Sequence, residues 1–501
     1  MKLSGLELRR PRAFGNCWLA CETWRQLELD RFRRRKLPEG REAVSWEKIL
    51  RLLVVNRLID PGGELYVHRH WFLHSAMEEL RGIDFAVAEK DRLYRCLDRV
   101  ISHKRELFMW LRQRGPDLFQ AGFEVPLHDL TGTYFEGAME ENPKAKRGCG
   151  RDGRPDCSQV VIAPVVTTDG FPTAYEARNG NTSDRTALRG FLDKIEAAYG
   201  KAGRMWVMDR GIPTEEILAG MRDPARQMSY LVGTPKSKIK QHEKKWLELP
   251  WRKVRDSVEV KLFERDGELY VPAKSEGRQL KEAAMRRKRL VRLLVKLRAM
   301  RRLAIARSVA AAHWRGQDRS GPGLRLGADS VARWAAAGDA RILPVQRGQE
   351  QAQGGGTARW PLSAALQCGR RRSAVLWTRY VQLTQIESVF RSLKSELGIR
   401  PVHHRLEHRV DAHILVAFLA YRLQVALKNR LMLHAPGLTP AAVLEKLSAI
   451  RMIDVWVPAA DGRRLILPRY TQPERDLKLL LEKLPIELPV QPPPRITSPA
   501  S

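Results

Sequence analysis

Cysteine is scarce in this chain: six in 501 residues, at positions 17, 21, 96, 149, 157 and 368. That is too few and too scattered for a disulfide framework and suits a reducing compartment. Cys17 and Cys21 have a CxxxC spacing and Cys149 and Cys157 stand eight apart. No CxxC or HxxxH pair completes a four-ligand zinc site around them. No apolar run reaches the roughly 20 residues that a membrane helix needs. The first ten residues carry Arg and Glu where a secretory signal would be apolar, so a cytoplasmic protein without a membrane partner is expected. A GxxxxGK[ST] phosphate loop is also missing, which argues against nucleotide-driven chemistry. Acidic residues run short as well, 57 against 89 Lys and Arg, for a formal net charge of +32. A field of that sign favours polyanions, nucleic acid first. A ribosomal or membrane-surface protein is the alternative on charge alone, although basic ribosomal proteins are usually much shorter.

The length exceeds one ordinary core and predicts two to four domains. Residues 1–120 read as a basic, helical, DNA-binding domain. Ser45 precedes a helix carrying Trp46, Ile49, Leu50, Leu53 and Val54, which Pro61-Gly62-Gly63 ends. A second helix is expected over 91–114, with Leu93, Leu97, Val100, Ile101, Leu107, Phe108 and Leu111 inward. The cluster Arg33-Arg34-Arg35-Lys36 precedes this block. Helices with arginines suit a helix-turn-helix type of domain and, equally, a packing or dimerisation module.

Strand signals begin at Phe123. Residues 123–130 alternate and lead into 131–136, and 159–168 is a β-branched run ending at the hairpin dipeptide Asp169-Gly170, with 171–177 as its partner. A helix over 185–199, a short strand at 205–208, a helix starting at Pro213-Thr214 and a strand at 230–232 follow. Hairpin strands, then helix, strand, helix, strand, is the order of an RNase H-like α/β core across 121–235. Residues 236–373 form a partly β insertion domain: a hairpin over 258–271 around Arg265-Asp266-Gly267, then a helix over 278–302 with eleven Lys and Arg. Residues 303–373 differ in kind, with no Lys, Phe, Tyr, Met or Asn and one Glu. No hydrophobic period survives there, and the composition is that expected of GC-rich DNA read out of frame between two compensating frameshifts.

Order returns at Ala374-Val375-Leu376-Trp377, opening the second part of the core, 374–433. Leu383, Ile386, Phe390, Leu393 and Leu397 then recur at helical spacing. At about 100° per residue Tyr380, Glu387, Arg391 and Lys394 share a polar stripe beside that face. Residues 411–433 read as a strongly apolar helix that packs beneath the sheet, and 434–501 as a helical, Pro-rich extension. Three carboxylates stand out by position: Asp129 closes the first strand, Asp209 closes the strand at 205–208, and Glu387 lies on a late helix. Carboxylates so arranged can converge on two divalent cations and act on a phosphodiester. Tyr380 with His403, His404 and His413 offers a covalent tyrosine chemistry instead, but the clustered Arg-His-Arg-Tyr set it needs is not evident.

The motifs His128-Asp129-Leu130-Thr131-Gly132-Thr133-Tyr134-Phe135-Glu136-Gly137, Gly180-Asn181-Thr182-Ser183-Asp184, Met208-Asp209-Arg210-Gly211 and Tyr380-x6-Glu387-x6-Lys394 resemble those of bacterial insertion-sequence DDE transposases. More narrowly they resemble the group with a Tyr-Arg-Glu-Lys signature and an insertion before the third acid. The resemblance spans most of 1–302 and 374–490. It implies an RNase H-like catalytic core, with Asp129, Asp209 and Glu387 as catalytic residues and ligands of Mg2+, for which Mn2+ substitutes. It also implies that Tyr380, Arg391, Lys394 and Arg210 contact DNA. The signature's arginine position is Leu383 here, so that contact is absent or comes from Arg379 or Arg391. Asn181, Thr182 and Asp184 shape the loop beside the site, or Asp184 serves as a cap or turn residue. The implied activity is cleavage at the element's terminal inverted repeats and joining of the 3′ ends to target DNA. It would be carried out by a DNA-bound homodimer on the bacterial nucleoid. The alternative is an inactivated remnant that only binds DNA, which the patternless window at 303–373 favours.

Overall fold

The computed structural model describes residues 5–36, 45–82, 85–119, 127–128, 130–137, 139–148, 154, 156–167, 170–182, 190, 205–208, 214–223, 229–233, 249–255, 258–265, 268–300, 359–365, 382–458 and 463–496. These residues form a mixed α/β protein of two compact units, residues 1–230 with 379–501, and residues 231–378.

The first unit opens with a strand, β1 (Glu7–Ala13), ahead of α1 (Gly15–Gln26), α2 (Leu29–Lys36) and α3 (Trp46–Ile59). In α3 every residue except Lys48 and Ile59 is buried, so this helix is core and offers no free face to a DNA groove. Ser45 stands at its N-cap without a side-chain cap hydrogen bond. The single helix expected over 91–114 is two, α4 (Lys90–Ser102) and α5 (Lys104–Phe119). They break at His103, whose N–H turns back to Val100 O at 3.2 Å, an i→i−3 bond that tightens the chain.

Five strands follow: β2 (Leu127–His128), β3 (Thr131–Tyr134), β4 (Gln159–Val166), β5 (Pro172–Asn179) and β6 (Met205–Met208). β4 is buried along its whole length, as a central strand with an unbroken apolar run should be. β2 and β3 share one antiparallel register on β4, from Leu127 opposite Val166 to Tyr134 opposite Gln159. β5 pairs with the other edge of β4, across a turn where Gly170 takes φ +80°. Of the strand expected over 123–130, residues 123–126 and 129 lie outside the described residues, as does most of the helix expected over 185–199. α6 (Glu215–Met221) starts where expected, its N-cap Thr214 Oγ1 accepting the Ile217 N–H at 3.4 Å, and β7 (Ser229–Gly233) is fully buried.

The second unit holds β8 (Arg252–Arg255), β9 (Val258–Val260), β10 (Phe263–Arg265), β11 (Glu268–Ser275), α7 (Glu276–Met300) and β12 (Arg359–Ala365). The anticipated hairpin is present: β9 and β10 pair with β11 in one register, and α7 follows directly. β12 was not anticipated, because it lies inside the window that lacks any hydrophobic period. It pairs antiparallel with β11, a contact that needs main-chain donors and acceptors more than a side-chain pattern. The rest of 303–373 lies outside the described residues.

The chain then re-enters the first unit with α8 (Leu383–Arg391), which continues as a π-helical turn, Ser392–Glu396, and with α9 (Glu407–His434). α9 is the apolar helix expected at 411–433. Its buried residues lie all round it, and it packs against α1, α3, α4 and β5. By length and apolarity it could cross a bilayer, but 89% of its most apolar window is buried inside the protein. Its few polar side chains are tied to neighbours. Asp411 accepts from Lys104 Nζ at 2.8 Å and from Tyr175 Oη at 2.8 Å, linking α9 to α5 and β5. Arg409 grips Asp98 of α4 bidentately at 2.7 and 2.8 Å. The fully buried Arg422 donates to Pro172 O at 2.7 Å and lies 4.0 Å over the Phe171 ring.

The C-terminal part differs from expectation. After α10 (Pro440–Leu447) come two strands, β13 (Arg451–Pro458) and β14 (Arg464–Tyr470), then α11 (Arg475–Lys483) and β15 (Arg495–Ile496). The strands form a second sheet of order β1-β13-β14-β15, with β1 and β15 at opposite edges. Arg12 of β1 and Asp454 of β13 make a buried bidentate pair at 3.2 and 2.6 Å.

Leu419 of α9 is fully buried whereas Leu433 at its end is 80% exposed. Leu419→Ala should cost about 2–5 kcal/mol in denaturant unfolding and Leu433→Ala within about 0.5 kcal/mol. Equal effects would mean that α9 is not the core helix.

Candidate functional site

Of the residues singled out from the sequence, Asp129, Asp209, Arg210, Tyr380 and Asp184 lie outside the described residues. What is described is the strand residue before each of two carboxylates. β2 and β6 are neighbours in a parallel pair, with Leu127 opposite Val207 and His128 opposite Met208. The next residues in the chain are Asp129 and Asp209. α8, which carries Glu387, lies against β2.

Of the apolar stripe expected here, Leu393 and Leu397 are buried and Phe390 is half-buried, while the side chains of Leu383 and Ile386 lie outside the described residues. Val389, Leu393 and Leu397 are buried, and Glu387 and Arg391, one turn apart, are exposed. The Glu387 carboxylate has no hydrogen-bond or ion-pair partner among the described residues. The polar stripe expected to run on to Lys394 is altered by the π-helical turn Ser392–Glu396, which Leu397 N–H closes on Ser392 O at 2.9 Å. A wider turn rotates each residue less than an α-helix does, so half-buried Lys394 leaves the line through Glu387 and Arg391. Cavities of about 410 and 340 Å3 lie beside this segment, lined by Glu396 and Gln424 among others, and Glu387 lines neither. Glu387 itself is exposed.

The helix end is closely fitted. Gly398 takes φ +52°, and a Cβ there would stand 2.9 Å from Pro61 Cβ. Ile399 N–H returns to Leu393 O at 3.0 Å around this left-handed residue. Gly398 O accepts from Arg57 Nη1 at 2.9 Å, and Ile399 O from His413 Nε2 at 3.2 Å and Thr133 Oγ1 at 3.3 Å. Val402 bridges to Phe135 beyond the end of β3, its N–H donating to Tyr134 O at 3.0 Å. Farther along, His404 meets the buried Glu64 at 3.4 Å. Burial alone would raise the Glu64 carboxyl, but the hydrogen bond and charge of His404 hold it at about 2. Burial first, then the Arg57 charge, keeps His413 well below the usual histidine range and therefore neutral.

None of Arg57, Thr133, His413 or Gly398 was singled out as part of a helix clamp. Their partners are distant in sequence, 341 residues for Arg57 and 266 for Thr133. Only the glycine just past a helix was a legible signal. In the motif beginning at Gly180, the glycine is required by close approach, since a Cβ would stand 1.9 Å from Gln159 O. Asn181 is exposed, and Thr182 N–H closes the turn onto Asn179 O at 2.9 Å. Among the described residues no group of three or more His, Cys, Asp or Glu could hold a metal ion. The single described member of the expected triad, an exposed carboxylate without a partner, is a hard oxygen donor of the kind that Mg2+ takes.

A family model described as "Transposase DDE domain" matches residues 138–423. Among solved structures, the chain is similar to one titled "Cryo-EM structure of piggyBac transposase synaptic complex with hairpin DNA (SNHP)", at 7% identity and a TM-score of 0.40, covering 87% of this chain and 76% of that one. No curated protein matches the chain.

Gly398→Ala should destabilise the protein by at least about 1–2 kcal/mol, the cost of a left-handed residue with a Cβ, with the Pro61 contact added. Gly137→Ala, at φ +95° with nothing within 4 Å, isolates the conformational part. Thermal unfolding of both checks this, and a Gly398→Ala no worse than Gly137→Ala would deny the tight fit.

Proposed function

The chain belongs to the DDE-domain transposase family, and from that premise we propose that it cuts the ends of its own insertion sequence and joins the freed 3′ ends to target DNA. It is a DNA transposase; the finer assignment is to the bacterial group with the Tyr-Arg-Glu-Lys signature, built on an RNase H-like core. The observation that carries the reading is the parallel, in-register pair β2–β6 with the Glu387 helix laid on β2. Each strand is followed in the chain by an aspartate and Glu387 lies on α8, which supports reading the three as one set.

On this reading Asp129, Asp209 and Glu387 hold Mg2+, with Mn2+ as a substitute. When bound, such ions stabilise charge on the attacking and departing oxygens of a phosphodiester. Arg391 and Lys394, with Arg210 and Tyr380, hold the phosphate backbone across the open face beside Glu387. Water attacks phosphorus at the element's end and the P–O3′ bond breaks, leaving a 3′-hydroxyl and a 5′-phosphate. The 3′-hydroxyl then attacks a target phosphodiester, so one such bond forms as another breaks and no nucleotide need be consumed. Two ends must be brought together, which calls for a homodimer on DNA, working in the cytoplasm on the nucleoid.

Glu387→Gln, Asp129→Asn and Asp209→Asn should each lower cleavage of element-end DNA by at least about 100-fold without loss of DNA binding, and EDTA should abolish cleavage. Wild-type cleavage by Asp209→Asn would sink the assignment. Arg391→Ala should weaken binding to all sequences alike and reduce the slope of log affinity against log salt by about 1.

A further inference from the structure

The turn after the Glu387 helix is held from three elements at once. Arg57 of α3 takes Gly398 O, while His413 of α9 and Thr133 of β3 share Ile399 O. Arg57 Nη2 also lies 3.4 Å from His413 Nδ1. A guanidinium only donates, so Nδ1 must be the accepting nitrogen and the ring proton sits on Nε2, facing Ile399. Arg57 therefore selects the tautomer that lets His413 donate, the role that an outer partner plays for an oriented histidine. This arrangement is costly. Arg57 is buried, its Nε has no hydrogen-bond partner among the described residues, and burial pulls its guanidinium below the ordinary range. An apolar contact would close the same loop with less penalty but would not fix two successive carbonyls in direction.

We propose that Arg57, His413 and Thr133 are positioning residues that set the rotation and axial placement of the α8 helix, and through it the reach of Glu387 toward the ends of β2 and β6. The proposal rests on the reading of Glu387 as a catalytic carboxylate. Anchors from three elements leave the helix end unable to slide or turn. A misplacement of about 1 Å at a reacting group can cost about 100-fold in rate.

The test uses the full chain. His413→Leu removes the donor at similar bulk, and His413→Gln keeps an amide donor near the Nε2 position. Thr133→Val and Thr133→Ser form a second pair, should His413→Leu fail to fold. Kinetics on element-end DNA and hydrogen exchange at the Leu397 and Ile399 amides, in the absence of DNA and metal, are the readouts. His413→Leu and Thr133→Val should lower kcat by about tenfold with KM for DNA unchanged, and speed exchange at both amides. His413→Gln and Thr133→Ser should restore both readouts. Wild-type kcat and exchange in the two disruptive variants overturn the proposal, as does a His413→Gln no better than His413→Leu. Glu387→Gln run alongside separates the failures. Full cleavage by it removes the reading of Glu387 and this proposal with it. Lost cleavage in it, beside wild-type behaviour of His413→Leu and Thr133→Val, overturns the positioning role alone.

Discussion

A helix that is apolar on every side has to be wrapped, and α9 sets that requirement for the first unit. Nothing in its sequence from Val410 to Leu427 offers a continuous polar face to water, so α1, α3 and α4 must cover it along with β5. The wrapping explains why α3 is itself buried all round: it is the layer pressed on α9. It also explains why three charges on α9 are committed to neighbours. Arg409 is held by Asp98, Asp411 by Lys104 and Tyr175, and Arg422 by the carbonyl of Pro172. A charge left unpaired there would cost several kcal/mol, which makes those pairs determinants of how helices and sheet dock.

The same requirement bears on how far the N-terminal helices can be a DNA-reading module. A groove-reading helix needs an exposed face, and α3 has none. α4 buries Leu93, Cys96, Leu97 and Val100 and leaves its other side to solvent, but that side carries the Asp98 bond to Arg409. These helices build the body against which the Glu387 segment is braced, because Arg57 and Pro61 reach Gly398 from the end of α3. Part of the block expected to be a DNA-binding domain thus packs against the Glu387 segment.

Much of the fold was legible because local pattern and global role agree. The β4–β5 hairpin, the short strand Met205–Met208, the α6 cap at Thr214 and the apolar α9 each carry a period or a turn signal of their own. Legibility failed where the deciding contact is remote or lies in the main chain. β1 holds three arginines that would discourage a strand reading, yet Arg12 is neutralised by Asp454, which is 442 residues away. β12 pairs through its backbone from within a window without hydrophobic pattern. The break between α4 and α5 falls at His103, where α9 draws Asp98 and Lys104 onto itself, and no single-helix periodicity reveals that. At the site, Glu387 stood out because an acid flanked by cations is unusual on an amphipathic helix. The clamp behind it stayed hidden, because Arg57, Thr133 and His413 look like ordinary core and strand residues until the chain is folded.

An exposed acid on a helix has little to hold it still, and helix rotation moves a long side chain by more than the helix itself. From α8 through the π-helical turn, only three described apolar side chains are buried, Val389, Leu393 and Leu397. Apolar contacts are not directional, so they permit rolling and sliding that hydrogen bonds do not. The π-helical turn adds to the problem, because its geometry is uncommon and must be stabilised from outside. Directional bonds to the two carbonyls just beyond that turn, together with a glycine that leaves no room against Pro61, supply what the apolar stripe cannot. Precision at Glu387 is therefore derived from the same buried layer that wraps α9, and core and site are one mechanical problem.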